Sequence, residues 1–302
     1  MKSNKVFFTH AAALSALFIL GNSLITAPTA SADEFTFLGY LVSVLISFLL
    51  YFIFFPVSHF FYKENSRQNN LIIKILKILF YISVALFSLF CVADTFKAFI
   101  LFIKQIILKN TSLTLIVIVF LAVCLFFASR RQEDILKFCL LCFWFVLGLM
   151  LFFFFATMHN YNLRNIFIFR LPEFKNLYNQ MLPYIKNPVL PSLLLPIYNV
   201  IVFKKSRKGA AFSGLALGLV LLGLGILSAT LLFGTTFAGE LDFPYSAAVS
   251  TVNIGRLFTR LDGFSYFIYF AAAITRITVC IFIMITTLKK LAEVTTKQTS
   301  KN

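Results

Sequence analysis

An all-α polytopic membrane protein is the fold class this sequence predicts, and three observations predict it. Hydrophobic residues make up 60% of the chain and charged residues only 13%, with 40 Phe among 302 residues. Mean hydropathy is +0.91, whereas a soluble domain is about 45–50% apolar and about 25% charged. The apolar residues gather into runs long enough to cross the roughly 30 Å of a bilayer's hydrocarbon as helices. The charges fall in the short connectors between those runs, where cations set topology. The chain reads as a single integral membrane domain over residues 1–302 with about eight transmembrane helices.

The first span is read at 6–25; it carries Gly21-Asn22-Ser23 inside an apolar run and is followed by Pro28. The second runs over 35–55 and the third over 71–92. An amphipathic stretch follows, Thr95 to Leu108, in which Lys97 and Lys104 alternate with Phe96, Phe99, Ile100, Leu101 and Ile107. It suits a helical extension lying in the membrane interface. The fourth span, 113–128, ends before Arg130-Arg131, and the fifth covers 135–156. The sixth, 189–203, is short and punctuated by Pro188, Pro191 and Pro196, with Asn199 after them. The seventh, 210–233, starts after Lys204-Lys205-Ser206-Arg207-Lys208, and the eighth, 264–288, ends at Lys289-Lys290.

Basic residues orient the bundle. With a cytoplasmic N-terminus, one side collects 17 of the 27 cations, among them Lys63, Arg67, Arg130, Arg131 and the Lys204 to Lys208 cluster. The other side holds nine, and both termini are then expected in the cytoplasm. The basic Met1 to Lys5, the following apolar run and Ala30-Ser31-Ala32 also fit a cleavable leader. The run is longer than the usual 7–15 residues of a leader core and is interrupted at Gly21, which favours a retained first helix.

Several function classes are disfavoured. A net charge of +16 in a soluble domain would suggest nucleic acid, but here no basic face accompanies a nucleic-acid motif. Cys91, Cys124, Cys139, Cys142 and Cys280 fall in or at the ends of apolar spans, and Cys139-x-x-Cys142 lacks a second pair. His10, His59 and His159 are scattered, so neither a metal nor a cofactor is expected. No nucleophile triad, phosphate loop or acid/base pair is present, and an enzyme is not expected.

Arg276 stands near the middle of the eighth apolar run. An unaided cation there costs about 2.5–3.5 kcal/mol on insertion scales, so such residues face a bundle interior, a water-filled cavity or an ionic ligand. Interruptions in the first and sixth spans, five apart, form the pattern of inverted repeats whose half-helix ends converge on a substrate. Breaks at Gly and Pro free backbone groups that lipid cannot satisfy. Free N–H groups suit a carboxylate and free carbonyls an ammonium, which together describe an amino-acid-sized ligand. Gly21, Asn22, Ser23, Asn199 and Arg276 are the candidate ligand-binding residues.

Phe243-Pro244, Asn253-Ile254-Gly255-Arg256-Leu257-Phe258-Thr259-Arg260-Leu261-Asp262, and the aromatic helix carrying Arg276-Ile277-Thr278 resemble the spore-germination receptor B subunits. These belong to the amino acid/polyamine/organocation permease superfamily. The segment Leu17 to Ser23 resembles that family's unwound first helix, and Phe203-Lys204-Lys205 matches the basic connector after its sixth. The resemblance implies a permease-like inverted-repeat bundle with broken helices 1 and 6. The family has ten helices in two five-helix repeats, so the eight spans here imply a bundle lacking the last two. It also implies a nutrient germinant receptor subunit of the spore inner membrane that senses a small molecule such as an amino acid. Its expected partners are the A- and C-type receptor subunits. The alternative is an amino acid secondary transporter of the same superfamily. Arg260 and Asp262 carry the resemblance as structural motif residues: Asp262 is placed to cap the eighth span's N-terminus, and Arg260 to anchor it at the interface.

Overall fold

The computed structural model describes residues 2–25, 36–62, 71–165, 174–202, 208–252 and 262–299. Its elements are α1 (Lys2–Ser23), α2 (Thr36–Tyr62), α3 (Leu71–Phe102), α4 (Leu113–Ala128), α5 (Gln132–Thr157), α6 (Phe174–Tyr184), α7 (Leu190–Ser192), α8 (Leu194–Val202), α9 (Lys208–Phe233), α10 (Thr235–Glu240), α11 (Pro244–Ser250) and α12 (Asp262–Thr299). Among the described residues six segments are long and apolar enough to cross a membrane, and two shorter apolar helices, Phe8–Ser23 and Leu113–Ala128, accompany them. These eight correspond to the eight spans read from the sequence.

Burial sorts the helices into an inner and an outer set. The spans containing α9 and α12 are about two-thirds or more buried, those containing α2 and α3 under one-third. From Ala13 to Ile25 every residue of α1 and its following turn is buried, so α1 is the central strut. It packs on α9, α12 and α5. The α1–α9 approach is close because α9 presents Gly214 and Gly218 to Ala12 and Ala16. A Cβ on Gly214 would stand 2.8 Å from the Ala12 Cα, and one on Gly218 3.0 Å from the Ala16 Cα. With no apolar contrast between lipid and side chain, such small-residue contacts are a main source of helix association.

The outer helices invert the soluble pattern. On α2, Gly39, Ser43, Ser47, Tyr51, Phe55, Ser58 and Tyr62 form the buried stripe, while Leu41, Leu45, Leu49, Phe52 and Ile53 face outward. Buried hydroxyls bond locally or across helices: Ser43 Oγ donates to the Gly39 carbonyl at 2.8 Å, and the Tyr62 hydroxyl meets Thr287 Oγ1 at 2.7 Å. Beyond α5, Asn162 N–H and Asn165 Nδ2 donate to the Leu231 carbonyl at 3.1 and 3.0 Å, tying that connector to the end of α9. Gly234, at φ +75°, then ends α9 in the left-handed conformation that glycine adopts without a Cβ penalty.

Three boundaries differ from the sequence reading. The Thr95 to Leu108 stretch does extend the third helix, with α3 continuing to Phe102 and a π-helical turn following over Ile103–Ile107, but it packs into the bundle on one side. Phe99 and Phe102 are buried, against Phe120 of α4 at 4.5 Å and Tyr269 of α12 at 4.6 Å between ring centroids. The sixth span begins at Leu177 rather than 189, because the polar α6 packs on α2, with Thr36 Oγ1 donating to Gln180 Oε1 at 3.1 Å. The first helix is unbroken through Ser23, so Gly21-Asn22-Ser23 forms its last turn instead of an internal gap. The sixth span is broken as expected, by the π-helical turn Ile185–Val189 and by the interruption between α7 and α8.

Candidate functional site

The last turn of α1, the π-helical turn after α6, α3 and α12 meet around Arg276. Arg276 is 1% exposed and is the largest fully buried side chain among the described residues. Its stem lies on Gly21, where an added Cβ would come within 2.8 Å of the Arg276 Cβ and 2.6 Å of its Cδ. Glycine is therefore required for α1 and α12 to approach this closely. The guanidinium carbon sits 5.7 Å from the Phe18 ring centroid, a cation–π arrangement that strengthens away from water. The position beside the C-terminal turn of α1 also sets the cation at the negative end of the helix dipole.

The broken sixth span supplies one hydrogen-bond acceptor, and the Cys91 side chain of α3 lies within hydrogen-bond reach of the guanidinium as well. Pro191 has no N–H to offer the carbonyl four residues earlier, that of Asn187. That oxygen accepts from Arg276 Nη2 at 3.4 Å. Arg276 Nε and Nη1 are buried and have no partner among the described residues. A buried guanidinium with two idle donors is a costly arrangement unless another acceptor comes to it.

On the facing helix, Asp94 accepts from Asn22 Nδ2 at 2.5 Å. The third span read from the sequence stops at Val92; the longer α3 carries Asp94 eight residues before its end. Sequence periodicity could have found it, because Cys91, Thr95, Ala98, Phe99 and Phe102 continue the buried stripe of α3 past Val92. Cys91 and Cys280 side chains meet between α3 and α12, next to Arg276.

The structure thus brings Gly21, Asn22 and Arg276 together and adds Asp94 and the Asn187 carbonyl. Ser23 is fully buried beside them in sequence, and its Oγ has no partner among the described residues. Asn199 is elsewhere: it is buried on α8 within hydrogen-bond reach of the Tyr51 hydroxyl of α2. Twelve residues, about 18 Å of helix at 1.5 Å each, separate it along the sixth span from Asn187. Arg260 lies outside the described residues, as does the Asp262 side chain, although α12 does begin at Asp262. No group of three His, Cys, Asp or Glu that could hold a metal occurs among the described residues.

An all-α bundle with a proline-broken span and a charged, buried centre defines a multi-pass integral membrane protein of permease type. The family model for spore germination proteins, the spore permeases, matches residues 5–300. The chain belongs to that family, which is transporter- and receptor-like rather than enzymatic. No curated protein and no solved structure matches the chain.

Proposed function

We propose that this chain is the permease-like, ligand-sensing subunit of a nutrient germinant receptor in the spore inner membrane. It binds a small molecule such as an amino acid at the end of α1 and passes a shift in helix packing to A- and C-type partner subunits. The observation that carries the reading is Arg276, fully buried at the broken sixth span with two idle donors. A ligand acceptor would satisfy those donors, and binding that favours one packing of α1 against α12 shifts the population toward it. Gly21, Asn22 and Ser23 frame this site; Asn199 and Tyr51 form a separate polar contact between α8 and α2, farther along the sixth span.

A second reading, an amino acid secondary transporter, is favoured by Asp94. Proton or ion coupling calls for an ionisable group within a span, and Asp94 lies within the apolar segment Ile72–Ile107.

Binding and uptake of a radiolabelled amino-acid panel by membrane vesicles containing the chain separate the two. Binding without uptake supports the sensor; concentrative uptake makes it a transporter; neither, with insertion confirmed, overturns both. Replacing Arg276 by Met is expected to abolish ligand response while insertion into the membrane is kept or improved. Unchanged ligand sensitivity in R276M would return Arg276 to a purely structural role.

A further inference from the structure

The hairpin between α4 and α5 lies at the edge of the apolar spans. The apolar α4 stops at Ala128, Arg130-Arg131 follow, and α5 starts at Gln132 with Glu133 and Asp134 in its first turn. A recess of about 300 Å3 opens there, walled by Phe126, Phe127, Ile135 and Phe138, with Arg130 and Asp134 as its two charged side chains. The Phe127 and Phe138 rings, 4.7 Å apart between centroids, and the buried Ile135 make its apolar wall. The volume stands at the lower end of the roughly 300–1,000 Å3 found for small-molecule pockets.

Where the recess opens sets what can enter it. Along the outward face of α4, Ile118, Leu121, Leu125 and Phe126 are about half exposed or more, and in a spanning helix such residues face lipid chains. Phe126 belongs both to that face and to the recess, so a molecule with a chain along α4 and a polar head at the hairpin meets both. Arg130 is held ready for the head: its guanidinium carbon sits 4.2 Å from the Phe126 ring centroid. Stacking occupies the flat face of the guanidinium and leaves its N–H edge, the side that takes a phosphate through two parallel hydrogen bonds.

Arg130 and Asp134 line the same recess without forming an ion pair among the described residues. The neighbouring Arg131, Glu133 and Lys137 are exposed and do not line it. A head carrying only negative charge would meet Arg130 but be repelled by the Asp134 carboxylate; a head with an ammonium beside its phosphate is attracted by both.

We propose that this recess binds a phospholipid whose head carries a primary ammonium beside its phosphate, as in phosphatidylethanolamine. Arg130 receives the phosphate, Asp134 receives the ammonium and selects for it, and an acyl chain lies against Phe126, Phe127 and Phe138. The site is separate from Arg276 and stands independently of the ligand-sensing reading.

Trp144, the single tryptophan of the chain, lies on α5 ten residues beyond Asp134, about 15 Å along the helix, and is exposed. It serves as energy-transfer donor to pyrene on a lipid acyl chain. The full chain is placed in phosphatidylcholine vesicles with a trace of pyrene-acyl phosphatidylethanolamine, and unlabelled lipids are titrated against the label. Phosphatidylethanolamine is expected to displace it at a mole fraction at least fivefold lower than phosphatidylglycerol or further phosphatidylcholine. R130Q is expected to remove that advantage, D134N to bring phosphatidylglycerol within twofold of phosphatidylethanolamine, and E133Q, outside the recess, to keep the wild-type order. Equal displacement by all three lipids, the mark of an unselective lipid shell, overturns the proposal. So does phosphatidylglycerol matching phosphatidylethanolamine in the wild-type chain, inorganic phosphate displacing the label as well as the lipid does, or E133Q acting like D134N. The wild-type comparison needs no variant, so it decides the matter even where a substitution disturbs folding.

Discussion

At position 21 the geometry leaves no room for a single methyl group. A Cβ there would be 2.6 Å from Arg276 Cδ, 2.8 Å from Arg276 Cβ and 3.3 Å from the Ala272 carbonyl. The Cβ contact is the decisive one, because it lies at the root of the side chain, where no rotamer change moves it away. Gly21→Ala is expected to destabilise by about 1–3 kcal/mol, the usual cost of overpacking, and to weaken amino acid binding by displacing the guanidinium. A lowered thermal midpoint in detergent together with weakened binding would bear this out; an unchanged midpoint would show that α1 can slide without loss. Gly148 makes the matched control. Its added Cβ would meet nothing within 4 Å, so Gly148→Ala should be neutral or stabilising by up to about 1 kcal/mol from helix propensity.

Among the elements, the sixth span depends on its prolines and the α1–α9 pair on its glycines. Pro191→Ala returns an N–H that can claim the Asn187 carbonyl and takes that acceptor from Arg276. The thermal midpoint should hold or rise, as expected when proline leaves a helix interior, while amino acid binding changes; an unaltered binding curve would detach the broken span from the site. Gly214→Leu presses a Cβ to within 2.8 Å of the Ala12 Cα, a backbone atom that yields only if α1 moves. Loss of the monodisperse peak in fluorescence-detected size-exclusion chromatography is the expected outcome. Gly-x-x-x-Gly at 214 to 218 was readable in the sequence, but its partner, the alanines of α1, was not. A motif names a surface for close approach without naming what approaches.

Taken as a whole, the molecule is a bundle whose orientation rests on its cations. Seventeen of 27 fall on the side assigned to the cytoplasm, and orientation follows that bias. A green fluorescent protein fused after Asn302 should therefore fluoresce, and alkaline phosphatase fused in the connector at Asn110 should be active. The opposite pair of results would invert the bundle.

The existence and order of the apolar helices were legible in the amino-acid sequence because crossing a bilayer is a local demand. About 20 apolar residues in a row satisfy it wherever they stand in the fold. Arg276 was legible for the same reason, since a charge inside such a run is conspicuous. The polar α6 was not, because Lys175, Asn179 and Gln180 break the hydropathy signal, and only the packing of Gln180 against Thr36 and Gly39 accounts for burying that helix. Which residues gather around Arg276 was decided by tertiary structure alone. Asn22 and Asp94 are 72 residues apart and Asn187 and Arg276 are 89 apart, and nothing local to any of them indicates which neighbour it will meet. Asn199, alike in sequence as a polar residue after a break, was carried to Tyr51 instead, because the register of α8 beyond its prolines is set by the helices around it. Hydropathy is a property of each segment; contact is a property of the bundle, and the charges of this protein acquire partners only when the bundle closes.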